Sequence, residues 1–340
     1  MKKNIFLFIT ITLSCLFITF SIVSIVNAEP TSDESLNGQA LEIAPPVIIL
    51  SADPGETLTT QINIRDISSG SLLVKGEIND FTAAGEDGTP KILEGSETSA
   101  YSLKNWVSFP SELLLNAKQL KKLPITINIP SNASPGGYYG TIRFTATAPE
   151  LKDTGVSLSA SLGALLMIRV KGEAKEELSI KDFFASNIDT RDENDIEVSG
   201  KVSNFFESAP IQFNQRLTNT GNVYEQPSGL VTITDMFGKK IATLGINQPP
   251  RQILPDSTRK FTQLLDKSVI GNKILFGRYK ADLNVVYGDN KQTINSSLTF
   301  WVIPYRTILA IITAIIVIFI VLKSSIRRYN KHIIKKSRYY

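Results

Sequence analysis

Two stretches of this sequence decide its fold: residues 136–144, GGYYGTIRF, and residues 277–285, GRYKADLNV. They align without a gap, with glycine, tyrosine, a small residue and two apolar residues at every second position. Because successive side chains of a strand point to opposite faces, this period predicts a β-strand with one face buried. The sequence therefore predicts a related strand in each half of the chain. The alternative is a coincidence between two Gly-Tyr strand starts.

The same alternation occurs elsewhere in the chain. Largely apolar residues alternate with polar ones in residues 58–64, 123–129 and 211–217, and turn signals lie beside these runs. Residues 41–304 show no convincing amphipathic helix. Short alternating strands separated by turns are typical of sandwich folds. The predicted fold class is therefore all-β, with two immunoglobulin-like β-sandwich domains and a C-terminal transmembrane helix.

The tyrosines of the two opening stretches have a predicted structural role. In immunoglobulin-like sandwiches, a tyrosine at the start of the sixth strand stands two residues before a core position, and its hydroxyl bonds nearby backbone. Gly140 and Ala281 occupy that core position here. We therefore predict that Tyr138 and Tyr279 are structural tyrosine corners.

The N-terminal segment has the pattern of a signal peptide. Two lysines, a long apolar stretch and the small-residue site VNA fill residues 1–28,. An uncleaved signal anchor is the alternative, and a lipoprotein site at Cys15 fits less well. Cys15 is the only cysteine. Because the body has none, its domains must be held together without disulfides.

The C-terminal segment has the pattern of a membrane span. Residues 307–322 carry no charge, and a purely basic tail follows, which the positive-inside rule places in the cytoplasm. We predict a single-pass type I protein of the cell membrane with an extracellular body, and the membrane-interface residues are Trp301, Tyr305, Arg306 and Lys323. The predicted parts are a signal peptide (1–28), a polar spacer (29–40), domain 1 (41–172), domain 2 (173–304), a transmembrane helix (305–323) and a basic cytoplasmic tail (324–340).

Charge and composition exclude several functions. Of the 36 Lys and Arg, two lie in residues 1–28 and eight in residues 306–340, which leaves 26 against all 32 Asp and Glu. An acidic body argues against nucleic acid as a partner. The only histidine, His332, lies in the tail, so the body has no histidine base and no zinc ligand set. We predict no enzyme activity, no metal and no cofactor.

Two short patterns have ordinary explanations. Residues 257–260, STRK, match the Ser-x-x-Lys pattern of penicillin-binding enzymes, but no Lys-Thr-Gly follows and the segment is a predicted strand,. The acidic run 189–195 offers oxygen ligands for calcium, although it lacks the glycine and the final glutamate of an EF-hand loop,. A solvated hairpin loop is favoured there.

Tyr139 and Arg143 are the candidate ligand-binding residues. If Tyr138 faces the core, then Tyr139, Thr141 and Arg143 share the opposite face of the strand. An aromatic ring and a guanidinium on one face can stack on a sugar and bond its substituents. The alternative is that these side chains only pack under a covering loop.

Domain 1 resembles a known bacterial family. Residues 106–110 (WVSFP), the strand 123–129 and residues 133–140 (ASPGGYYG) resemble the WxL-interacting-protein family. Its members have a signal peptide, an immunoglobulin-like peptidoglycan-binding domain, a second β-domain, a membrane helix and a basic tail. The motif-level resemblance covers residues 41–147, and the family's aromatic-acidic stretch is not evident at residues 48–53. The resemblance implies attachment to the cell wall and engagement of other surface proteins.

These observations predict a non-enzymatic surface-binding protein. Domain 1 would contact peptidoglycan or another cell-wall glycan, and domain 2 would contact a surface protein, with the membrane engaged by the C-terminal helix. The alternative is a structural or assembly factor that offers the edge of a strand to a secreted subunit.

Overall fold

The computed structural model describes residues 41–147, 160–191 and 197–337. The predicted signal peptide and spacer, and residues 192–195 of the acidic run 189–195, lie outside this part of the chain. The described residues form two β-sandwich domains followed by a long helix, so the predicted all-β fold class is confirmed.

Domain 1 packs two antiparallel-based sheets face to face. One has the strand order β1-β3-β9-β7 and the other β2-β11-β10-β4-β8, while β5 and β6 form a separate hairpin. The inner faces bury aliphatic side chains such as Ile62, Ile125 and Leu166. The strands are β1 (Leu41–Ala44), β2 (Val47–Ala52), β3 (Thr57–Asp66), β4 (Leu72–Asn79), β5 (Phe81–Ala84), β6 (Thr89–Ile92), β7 (Val107–Ser108), β8 (Glu112–Leu115), β9 (Leu120–Asn128), β10 (Gly136–Thr147) and β11 (Ala160–Val170).

Domain 2 repeats the plan with a separate core. Its sheets have the orders β12-β16-β19 and β15-β21-β20-β17-β18, and β13 pairs with β14. Phe213, Leu283 and Phe300 lie in this core. The elements are β12 (Leu178–Ser186), β13 (Thr190–Arg191), β14 (Glu197–Val198), β15 (Phe205–Phe206), β16 (Ile211–Asn219), β17 (Ser228–Asp235), β18 (Lys240–Ile246), β19 (Ser257–Leu265), α1 (Lys267–Ile270), β20 (Gly277–Tyr287), β21 (Gln292–Val302) and α2 (Tyr305–Ser337).

The two tyrosines make the hydrogen bonds that the sequence predicts. The Tyr138 hydroxyl donates to the carbonyl oxygen of Ser134 at 3.1 Å, and its ring lies 4.2 Å from that of Trp106. The Tyr279 hydroxyl oxygen accepts from the Phe276 N–H at 3.0 Å. Each tyrosine therefore ties the start of its strand, β10 or β20, to the loop before it.

The C-terminal helix α2 is exposed along the residues whose side chains are described. Within Tyr305–Arg327, a stretch of 18 residues has a mean hydropathy of 2.7 and none of it is buried, so the segment is long and apolar enough to cross a membrane. Of the four residues predicted for the membrane interface, Tyr305, Arg306 and Lys323 lie in α2 and Trp301 lies four residues before it. Trp301 is the last residue but one of β21 and stacks on Phe205 at 6.4 Å, and the Arg306 guanidinium lies 5.8 Å above the Tyr305 ring.

Candidate functional site

At Tyr139, the face of β10 that the sequence predicts to be exposed is covered by a loop of domain 1 that contains Tyr101, and residues of domain 2 pack on the same cluster. Tyr139 is only 2% exposed. Its ring makes edge contacts with Phe81 at 6.2 Å and Tyr101 at 6.1 Å, and Tyr224 of domain 2 packs against this cluster. The predicted exposure of Tyr139 is therefore wrong. Alternation correctly places Tyr139 opposite Tyr138, and the alternative expectation, packing under a covering loop, is what the structure shows: the Tyr139 N–H donates to the Tyr101 carbonyl at 2.7 Å.

Arg143 lies farther along the same face and is held by two carboxylates. Its guanidinium donates to Glu77 and to Glu94, both at 3.1 Å, and about a quarter of the side chain is exposed. These hydrogen bonds raise the pKa of Arg143. Tyr139 and Arg143 therefore do not form the open aromatic–guanidinium pair that the sequence predicts.

Backbone hydrogen bonds join the two domains beside Tyr139. The Gly137 N–H donates to the Asn222 carbonyl at 2.7 Å, and the Asn222 side chain donates to the Pro135 carbonyl at 3.0 Å. The tyrosine hydroxyl lies over Gly137, where a Cβ would meet it at 1.9 Å. The glycine is required there because any side chain would displace Tyr139 from the junction.

A group of charged residues borders the same junction. Arg169 of domain 1 pairs with Glu176 at 2.6 Å and with Asp289 at 2.9 Å. Glu225 is 2% exposed and accepts a hydrogen bond from the Gly288 N–H at 3.0 Å, while its second oxygen has no partner among the described residues. Burial and the neighbouring Glu176 raise the pKa of Glu225 to about 7.

The tip of the β5–β6 hairpin reaches from domain 1 to the edge of β19. The Lys260 N–H donates to the Glu86 carbonyl at 2.8 Å, and Arg259 donates to the Asp87 carbonyl at 2.7 Å. Arg216 donates two hydrogen bonds to the Glu86 carboxylate, and its Nε lies 2.7 Å from Oε2. This bidentate contact lowers the pKa of Glu86 and raises that of Arg216.

A cleft opens next to this tip, and its volume is about 390 Å³. The hairpin tip, Asp189, the loop 245–251 and residues 260–263 of β19 line it. Asp189 pairs with Lys260 at 3.3 Å and accepts from the Gly200 N–H at 2.7 Å. These bonds lower the pKa of Asp189 against the opposing effect of its burial. The cleft is polar, with Arg251 exposed at its rim.

The wall of the cleft is the outer edge of a sheet. Within the described chain, β19 is the last strand of one sheet and β18 the last strand of the facing sheet. In an antiparallel pair, alternate residues direct their N–H away from the neighbouring strand. Lys260 does so, and Thr262 and Leu264 therefore do so as well. Neither amide has a backbone partner among residues 41–147, 160–191 and 197–337. The edge beyond Lys260 is therefore free to pair.

Two glutamines stand at core-face positions beside this edge. Gln263 follows Phe261 and precedes Leu265 on the inward face, and its buried oxygen has no partner in the described parts. Gln215 of β16 is fully buried, and neither of its amide atoms has a partner there. Unpaired buried polar groups are costly. In the sequence, Gln215 already interrupts a run in which every second residue is apolar. This interruption is the signal that could have pointed to this sheet.

The remaining sequence candidates stay structural or untested. Residues 257–260 lie on β19, as the sequence predicts, and not at the start of a helix. Within the described chain, no group of His, Cys, Asp and Glu could hold a metal ion. Residues 192–195 of the acidic run lie outside that part, so the prediction of a solvated hairpin loop without calcium stays untested there.

Comparison with known proteins relates the chain to structures of low similarity. No protein-family model matches the sequence, and no curated protein matches it. The YadV chaperone is 13% identical, with a TM-score of 0.33 over 76% of this chain and 99% of that one. The class 5 fimbriae chaperone CfaA is 14% identical, with a TM-score of 0.36 over 76% and 98%. The E. coli chaperone DraB is 14% identical, with a TM-score of 0.33 over 77% and 97%. Likenesses this distant carry no functional argument.

Proposed function

We propose that this protein is a membrane-anchored binding protein that takes up an extended segment of another protein as an added strand on β19. The observation that carries the proposal is the row of outward amides on this strand. The first, at Lys260, already pairs with backbone from the hairpin tip at 2.8 Å. The next two, Thr262 and Leu264, border the cleft. An extended peptide entering there would continue the pairing that the hairpin begins.

The composition of the edges supports this proposal. Sheet edges are normally protected by lysine or proline, because an unprotected edge pairs with other chains. The part of β9 that lies beyond its short pairing with β7 has both, at Lys121, Lys122 and Pro124. Residues 262–265 of β19, TQLL, have neither, and Leu264 is 40% exposed. Beyond Arg259 and Lys260, the edge of β19 therefore lacks the protecting residues that the unpaired part of β9 has.

This proposal corresponds to the assembly-factor alternative raised by the sequence. Glycan binding by domain 1 ranks second because the ring of Tyr139 is buried and Arg143 is engaged by Glu77 and Glu94. Membership of the WxL-interacting-protein family, the cell-surface location and the orientation in the membrane remain proposals.

The test of strand addition uses a proline placed on the edge. Random octapeptides displayed on phage are selected against the full chain in lipid nanodiscs, with empty nanodiscs as the counter-selection. We expect peptides with apolar residues at alternate positions. Leu264→Pro removes an outward N–H without breaking the ladder to β16, since proline is tolerated at such edge positions. It should weaken binding about tenfold, because one main-chain hydrogen bond worth about 1 kcal/mol is lost and the ring obstructs the partner.

The matched control is Leu264→Ala, which truncates the same side chain and keeps the N–H. Equal binding to both variants would show that the peptides do not pair with β19. A separate assay measures sedimentation of the full chain with purified cell-wall sacculi. Pelleting that Arg143→Ala abolishes, with no peptide selected, would favour the glycan function instead.

A further inference from the structure

One end of domain 2 exposes large apolar side chains on three separate segments. Phe237 is 86% exposed and Met236 45% in the turn between β17 and β18. Ile274 is 85% exposed and Phe276 59% in the loop before β20, and Phe205 of β15 is 65% exposed. Single exposed apolar residues are ordinary, but a cluster at one end of a domain indicates an interaction surface. We call these five residues the apolar end.

Strand pairing places the three segments together. Asp235, just before the turn, pairs with Tyr279. Gly277, just after the loop, pairs with Val302, and Phe205 pairs with Trp301. Neighbouring strands are about 4.8 Å apart, so adjacent segments of the apolar end lie within a few strand spacings of each other. The Met236 methyl group occupies the space beside Gly277, which joins the turn directly to the loop.

The long apolar helix leaves domain 2 at this same end. Only residues 303 and 304 separate β21 from α2. The Ile303 N–H donates to the Phe206 carbonyl, and the Tyr305 N–H donates to the Ile303 carbonyl, both at 2.8 Å. There is no long linker between sheet and helix. A membrane crossed by Tyr305–Arg327 would therefore begin within a few residues of the apolar end.

The charges around the apolar end suit a lipid surface. Lys239, Lys273 and Arg278 are exposed there. The nearby acids are engaged locally: Asp235 accepts from the Lys239 N–H at 2.9 Å, and Glu207 pairs with Arg306 at 3.4 Å. Basic side chains beside exposed aromatic ones are the pattern of segments that lie in the interface of a membrane.

From this geometry we infer that domain 2 rests on the bilayer through its apolar end, with Phe237 and Ile274 inserted at the boundary between headgroups and acyl chains. Segments of this kind enter about 5–10 Å below the headgroups. The inference rests on the anchoring part of the proposed function. It adds a second membrane contact that holds the body in one orientation and so sets the direction in which the cleft at β19 faces.

The experiment measures how deeply single labelled residues lie in the bilayer. In the full chain carrying Cys15→Ser, cysteine is introduced as Phe237→Cys or Ile274→Cys and labelled with the environment-sensitive dye NBD. Ile316→Cys, near the middle of the uncharged run 307–322, reports the span itself. Leu114→Cys is the matched control, because Leu114 is an exposed leucine of domain 1 (55%). Each variant is reconstituted into vesicles of phosphatidylcholine and phosphatidylglycerol with lipids spin-labelled near the headgroup or near the chain end.

The expected result is a loss of fluorescence at positions 237 and 274 that is larger with the shallow quencher than with the deep one. At position 316 the loss of fluorescence should be larger with the deep quencher, and at position 114 no fluorescence should be lost with either quencher. If 237 and 274 behave like 114 while 316 is quenched, the helix spans but the apolar end does not touch lipid, and the inference is overturned. If 316 is not quenched either, the anchoring itself fails and the inference fails with it.

Discussion

The carboxyl of Glu225 should make the stability of the protein depend on pH. Its pKa rises from 4.5 to about 7 on folding, because the group is buried and faces Glu176. Arg169 acts in the opposite direction and Asp289 adds repulsion. Between these two pKa values the folded chain holds a proton that the unfolded chain has released. The free energy of unfolding therefore falls as the pH rises through this window.

The size of this change in the free energy of unfolding follows from the pKa shift of Glu225. One pKa unit corresponds to about 1.4 kcal/mol, so the loss between pH 4.5 and 7 is on the order of 3 kcal/mol. Glu225→Gln keeps the shape and the acceptor for the Gly288 N–H but cannot ionise. We expect the variant to match the parent near pH 4.5 and to be more stable by up to about 3 kcal/mol above pH 7.

The assay is urea unfolding of the full chain in detergent micelles, followed by near-ultraviolet circular dichroism at several pH values. Glu97→Gln is the control, because it removes an exposed carboxyl of domain 1. A Glu225→Gln variant that differs from the parent by the same amount at every pH would refute the reasoning. It would mean that Glu225 has the same pKa in the folded and the unfolded chain, and that the junction is open to water.

Further predictions concern the contacts between the domains. Tyr139→Ala should cost about 3–5 kcal/mol of unfolding free energy, as loss of a buried aromatic ring does. Tyr139→Phe should cost nothing or stabilise by about 1 kcal/mol, because the buried hydroxyl has no hydrogen-bond partner among the described residues,. The same unfolding assay checks both variants. A lower free energy of unfolding for Tyr139→Phe would contradict this prediction. A double-mutant cycle of Glu86→Gln and Arg216→Gln should give a coupling of about 0.5–1 kcal/mol that shrinks in high salt, and a coupling near zero would mean that the hairpin tip is not docked.

Local patterns in the sequence were sufficient for the strands, the tyrosine corners and the apolar helix. Alternation in residues 136–144 and 277–285 reflects the pleat of a single strand, and each corner hydroxyl bonds within four residues of its own position. The run 307–322 needs no partner to be apolar. These features depend on neighbours along the chain, so the order of residues alone determines them.

The candidate site depended on contacts between distant parts of the chain. Glu86 and Arg216 are 130 residues apart, and Tyr139 is buried by Phe81 and Tyr101, far before it in the sequence, together with Tyr224, far after it. A period of two tells which side chains share a face, but not whether water or another domain covers that face. The free edge of β19 likewise exists because no further strand pairs with it in the described structure. Only the tertiary arrangement decides which side chains are buried and which strand edges are open, since both depend on whether distant parts of the chain contact each other.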